Sequence, residues 1–197
     1  MTYEMKPLSC NSAELKGLSE KLIVSHYENN YSGAVKRLNA ITAQLDSLDF
    51  TSAPVFVING LKREELIAHN SMVLHELYFA SLGAESQPDG DLRNALIRDF
   101  GSLEKWQTQF VAMGKALGGG SGWLLLTHSD RDKKLVNQWA ADHTCCLTGG
   151  SPILALDMYE HSYHMDYGAK AAAYVDAFMS NINWENVSAL YQSHSRS

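Results

Sequence analysis

Apolar residues return at intervals of three and four through the first quarter of the chain, and a pattern of that period can be buried along one side of a helix but not along a strand. Leu15, Leu18, Leu22 and Ile23, then Val35, Leu38, Ile41 and Leu45, carry it across residues 12–48, with Ser12 as a candidate N-cap. Asn29-Asn30-Tyr31-Ser32-Gly33 interrupts the pattern, either as a bend between two helices or as a kink in one long helix. Residues 54–60 read as a loop opened by Pro54. A second helical stretch runs from Leu61 to Gly83 on Leu66, Met72, Val73, Leu77 and Phe79. The polar, turn-forming residues 85–91 then mark a boundary, dividing the chain into domains 1–86 and 87–197.

The second part has a different rhythm. Helices are predicted over 91–100 and 102–117, the latter capped by Ser102 and ended by Gly118-Gly119-Gly120. Apolar runs at 122–127 and 135–140 read as strands joined by a hairpin-type connection at Asp130-Arg131-Asp132-Lys133, and a third strand is predicted at 153–157. Tyr167-Gly168 breaks the chain before a helix over 169–182. The fold class is α+β: an N-terminal helical hairpin domain, then an α/β domain with a small three-stranded antiparallel sheet.

Composition narrows the function classes. The chain has 197 residues, 45% of them hydrophobic, enough for a core without disulfides. A formal charge of −6 with no basic stripe argues against nucleic acid as a partner. No apolar run approaches a membrane span, and the N-terminus lacks the cationic and apolar regions of a secretory signal. Cys10, Cys145 and Cys146 form no disulfide framework and no paired zinc site. The expected setting is reducing and cytoplasmic, with the cysteines as free thiols.

The sharpest local feature is Asp157-Met158-Tyr159-Glu160-His161. A carboxylate at the end of a buried strand needs a strong partner, and an imidazole four residues on can reach the same cation. Taken alone, that spacing more commonly gives a capping Asp beside an exposed His. His26 and His75 lie one in each N-terminal helical region. A buried His needs a partner for each ring nitrogen, and a metal or a carbonyl serves equally well.

Several motifs in order resemble the iron/manganese superoxide dismutases over almost the whole chain. They are His26 followed by Val35-Lys36-Arg37-Leu38-Asn39, His75 within residues 70–79, Gly120-Ser121-Gly122-Trp123, and the run from Asp157 to Tyr163 with Tyr174 to Phe178 and Asn183-Trp184. The resemblance implies that His26, His75, Asp157 and His161 ligate one iron or manganese ion per subunit between two domains. It implies dismutation of superoxide to dioxygen and hydrogen peroxide. It also implies a homodimer in which Glu160 bonds the metal-bound histidine of the other chain, and a pocket packed by Trp123.

The sequence departs from the family around that pocket. The family's gateway tyrosine falls at Ala34, its channel histidine at Asn30, and a usual tyrosine at His164. Asn30 and His164 are read as a replacement proton relay with water near Ala34. Tyr159 stands for the family's tryptophan, and His143 in Asp142-His143 is read as the hydrogen-bond partner of the metal-bound solvent, Ser71 being too short to reach. Two other readings stay open: a family-fold protein that binds metal with weak or lost dismutation, and a metal-dependent hydrolase using Glu160, His161 and His164.

Overall fold

A computed structural model describes residues 2–84, 86–88 and 90–195. Glu85 and Asp89 of the anticipated linker lie outside the described residues, as do Met1, Arg196 and Ser197.

The N-terminal periodicity becomes a continuous helical rod with one irregular turn. Ser12 does not cap it: Ser12–Glu14 is a single 3-10 turn capped by Asn11, and Gly17, at φ +71°, turns the chain before the rod starts. Helix α1 (Glu20–Ser25) is capped by Ser19, whose hydroxyl accepts the Leu22 N–H. His26–Tyr31 is wound as a π turn, and α2 (Ser32–Asp46) follows without a break. The interruption seen in the sequence is therefore a π-bulge, which inserts one extra residue without ending the helix.

Helix α3 (Val55–Ala80) starts six residues before the predicted Leu61, because Pro54 stands at its N-cap, where a missing N–H costs nothing. Residues 55–60, predicted as loop, are thus its first turns. It packs antiparallel to α2 as a helical hairpin and also lies on the sheet. Helix α4 (Gly90–Phe100) takes up Gly90 and Asp91 from the predicted linker. Helix α5 (Leu103–Ala116) is capped by Ser102 through the Lys105 N–H.

Three strands, β1 (Trp123–Ser129), β2 (Lys134–Ala140) and β3 (Gly150–Asp157), form an antiparallel sheet in the order β2-β1-β3. Every residue of β1 is buried, as a central strand covered on both faces must be. β3 begins three residues earlier than predicted. It carries Pro152 inside the strand at a register shift opposite Leu126/Thr127, where a missing ladder donor is tolerated. The register sets Trp123 opposite Asp157 on one side and Ala140 on the other. Three C-terminal helices close the molecule: α6 (His164–Tyr167), α7 (Ala171–Met179) and α8 (Trp184–Ser195). The predicted helix over 169–182 is shorter than expected, and α8 was not separately predicted.

The end of α3 is tied to the α7–α8 connection. Gly83 N–H donates to the Asn181 carbonyl at 2.8 Å and Asn183 N–H to the Ser81 carbonyl at 2.8 Å. Asn181 also clamps the N-terminal segment, accepting the Lys16 N–H at 2.8 Å and donating to the Lys16 carbonyl at 2.7 Å. These bonds tie the end of the helical hairpin and the N-terminal segment to the C-terminal helices.

Candidate metal centre

Asp157 is the last residue of β3 and is wholly buried. Its backbone is pinned: the Tyr174 hydroxyl donates to its carbonyl at 2.8 Å, and so does the Ser162 hydroxyl at 2.8 Å. Its Oδ1 accepts the Tyr159 N–H at 2.8 Å. That bond turns the chain into the 3-10 turn Glu160–Ser162, which brings His161 back over the carboxylate with Nε2 3.2 Å from Oδ2. The other donors come from the helical half. His26 Nε2 at the start of the π turn and His75 Nε2 on α3 lie 3.2 and 3.7 Å from the same oxygen.

The four donor atoms all lie within 4.8 Å of one another. His75 donates from Nδ1 to the Ser71 carbonyl at 2.6 Å, so its Nε2 lone pair is the one turned inward. That nitrogen, and both nitrogens of His26, are buried without a hydrogen-bond partner among the described residues. Unpaired buried polar atoms of this kind cost about 1–3 kcal/mol each unless something fills the space between them.

Protonation states match that need. Burial drives His75 down to about 3, helped by His26, and burial lowers His26 as well, so both rings are neutral. Burial alone would raise Asp157, but hydrogen bonds and charge from His161 and His26 hold it below the usual carboxylate range. One carboxylate and three imidazoles, two of them held neutral by burial, fit a borderline divalent or trivalent transition metal such as iron or manganese.

Aromatic rings wall the cluster. Trp123, fully buried, donates from Nε1 to His143 Nδ1 at 3.0 Å. Tyr159 is stacked between His143 and His161, with centroids at 4.9 and 5.4 Å and both pairs tilted by 13°. Tyr31 stacks on His75 at 6.3 Å, while its hydroxyl accepts the Lys6 N–H and reaches Glu76.

A model of the C-terminal domain of iron/manganese superoxide dismutases matches residues 88–190. An iron superoxide dismutase of Cupriavidus metallidurans is 71% identical over 97% of both chains. The chain belongs to the iron/manganese superoxide dismutase family. More distant relatives include a manganese superoxide dismutase of Haloferax volcanii, 32% identical over 98% of this chain and 96% of its own. An iron superoxide dismutase of Aquifex pyrophilus is 33% identical over 90% of this chain and 86% of its own.

Within this family member, the residues singled out in the sequence fall into two groups. His26, His75, Asp157 and His161 converge, with Trp123, Tyr159 and His143 beside them. Asn30 and Ala34 line a cleft of about 360 Å³ together with Arg37, Ser71 and His143. His164 and Glu160 are exposed, and no hydrogen bond joins His164 to Asn30. Sequence reasoning named Tyr31 and Tyr174 but gave them no role at the site, since aromatic residues at helical spacing read as ordinary core. It missed the Ser71 carbonyl, which a position four residues before a helical histidine would have suggested.

Proposed function

We propose that His26, His75, Asp157 and His161 hold a single iron or manganese ion and that the chain dismutates superoxide there. The observation that carries this reading is the convergence of four donor atoms within 4.8 Å, with both ring nitrogens of His26 and Nε2 of His75 buried and unpartnered among the described residues. When bound, the ion supplies a store for one electron, taken from one superoxide that leaves as dioxygen and given to another that leaves with two protons as hydrogen peroxide.

The chain's own residues do the rest. Asp157 supplies the one negative donor, and the imidazoles of His26, His75 and His161 leave the site able to accept an anion. His143 accepts from Trp123 at Nδ1, so its neutral ring carries its proton at Nε2 and can donate it to an oxygen group held nearby. Tyr159 fixes the planes of His143 and His161 by stacking. Asn30 lines the cleft toward His143, and His164, exposed to solvent, is read as the group that resupplies protons. The iron-specific name of the 71% relative favours iron over manganese. Glu160, exposed on the turn that carries His161, is read as the bond to a second copy in a homodimer.

Elemental analysis of protein loaded separately with iron and manganese, paired with pulse radiolysis of each form, tests the reading. The expected result is one ion per chain and fast second-order superoxide decay. Stoichiometric metal without turnover, or zinc as the only ion retained, would overturn it.

A further inference from the structure

The connection between β2 and β3 places two adjacent thiols, Cys145 and Cys146, two and three residues after His143. None of the roles above uses them. Both are free; Cys146 is exposed, and Cys145 is half-buried and packed against the core. Cys145 also lies near Tyr159: its charge joins burial, Asp157 and Asp142 in pushing the Tyr159 hydroxyl up to about 12. Both cysteines follow closely on the loop residue His143, whose ring is stacked on Tyr159.

We propose that hydrogen peroxide formed at the metal centre oxidises Cys145 and Cys146 to a vicinal disulfide, which displaces His143 and slows the enzyme. The chemistry needs no other oxidant. The Cys145 thiolate attacks one peroxide oxygen, the O–O bond breaks, and the departing hydroxide is protonated to water, leaving a sulfenic acid. The Cys146 thiolate then attacks that sulfur, the S–S bond forms, the S–O bond breaks, and a second water leaves. Two thiols lose two hydrogens and one peroxide becomes two waters.

The loop's geometry converts this step into a signal. Adjacent Cα atoms are about 3.8 Å apart, closer than the roughly 4.4 Å that an unstrained disulfide accepts. Ring closure must therefore re-bend the backbone between the two cysteines. That backbone is already committed: the Cys145 N–H closes a turn onto the Asp142 carbonyl at 3.4 Å, and Asp142 Oδ1 accepts the Thr144 N–H at 2.7 Å. His143 lies inside this turn, held by Trp123 at 3.0 Å and through its carbonyl by Asn70 at 2.6 Å. A turn that changes shape pulls against both bonds. Strained, accessible disulfides are also the readily reduced ones, so the state is reversible.

The test uses metal-loaded full-length enzyme, as wild type, C145S, C146S and the double serine variant, each exposed to hydrogen peroxide. In wild type the tryptic peptide 135–170, which holds both cysteines, is expected to lose two hydrogens. Activity is expected to fall about tenfold, as when a metal site loses an outer hydrogen-bond partner, and to return with dithiothreitol. C146S should stop at a sulfenic acid on Cys145 that dimedone traps. The inference rests on His143 acting beside the ion, and H143A assayed with reduced thiols tests that role separately. Thiols that stay reduced while activity declines, a disulfide that leaves activity unchanged, or equal loss in the double serine variant would each overturn it.

Discussion

Two imidazoles kept neutral by burial, His26 and His75, make the site sensitive to acid. His75 is held at about 3 in the fold against an ordinary 6.5, chiefly by burial. Between those values the unfolded chain takes up a proton at this position and the folded chain does not. Its contribution to stability is therefore full above about pH 6.5 and shrinks as pH falls, by about 1.4 kcal/mol per pH unit for one such group. Urea melts of metal-free protein at pH 7.5 and 5.5 should show the midpoint falling on acidification, and H75Q should flatten the difference. A second prediction concerns Trp123, whose indole N–H fixes the His143 tautomer. W123F should keep its metal, lose about 1–3 kcal/mol of stability, and lose activity about tenfold per bound ion, read by assay normalised to metal content. The four convergent side chains were legible because Asp157 ends an apolar run and the histidines recur in family order. The stacking of Tyr159 between two imidazoles was not, because nothing in a linear sequence tells which way a ring turns after a 3-10 bend.

At the scale of elements, two devices place the donors. The π turn His26–Tyr31 adds a residue to the first rod, so that His26 faces the cluster while Val35, Leu38 and Ile41 of α2 still face α3. Deleting Asn29, an exposed residue of that turn, should restore regular α-helix and withdraw the widened turn that holds His26. Circular dichroism should show helix retained, and elemental analysis should show the ion lost. The second device is Gly122, at φ +135°, immediately before Trp123; a Cβ there would stand 2.2 Å from the Ala140 carbonyl oxygen. Gly122 also accepts the Met158 N–H at 2.9 Å, next to Asp157. G122A should cost several kcal/mol, in the range of strained or overpacked sites, measured by denaturant melts. The sequence marked the irregularity at residues 29–33 and the three strands because both break or set a period. It misplaced the start of α3, since Pro54 reads equally as a loop or as a helix entrance, and only packing of the residues beyond it decides. Ser12 misled for a related reason: a good capping residue does not make a helix when a left-handed glycine follows five positions later.

At the scale of the whole molecule, an ion held by these four side chains would be a cross-link. Two donors belong to the helical rod and hairpin, and two to the end of β3 and the turn after it. Binding requires both halves to be folded and docked, so metal affinity counts as folding stability. At a free metal concentration of about 1,000 times the dissociation constant, the linkage amounts to about 4 kcal/mol. For a chain of this length each kcal/mol moves the melting midpoint by about 2–4 °C. Chelation should therefore lower the midpoint by on the order of 10 °C, read by calorimetry on holo- and apoprotein at pH 7.5. The same comparison in D157N, which keeps the shape of the carboxylate but not its charge, should show most of that gap gone. The aromatic wall and the bonds that pin β3 are built from the chain alone, so the apoprotein should still melt cooperatively. A gap that persisted in D157N would place the stabilising ion somewhere other than among these four side chains.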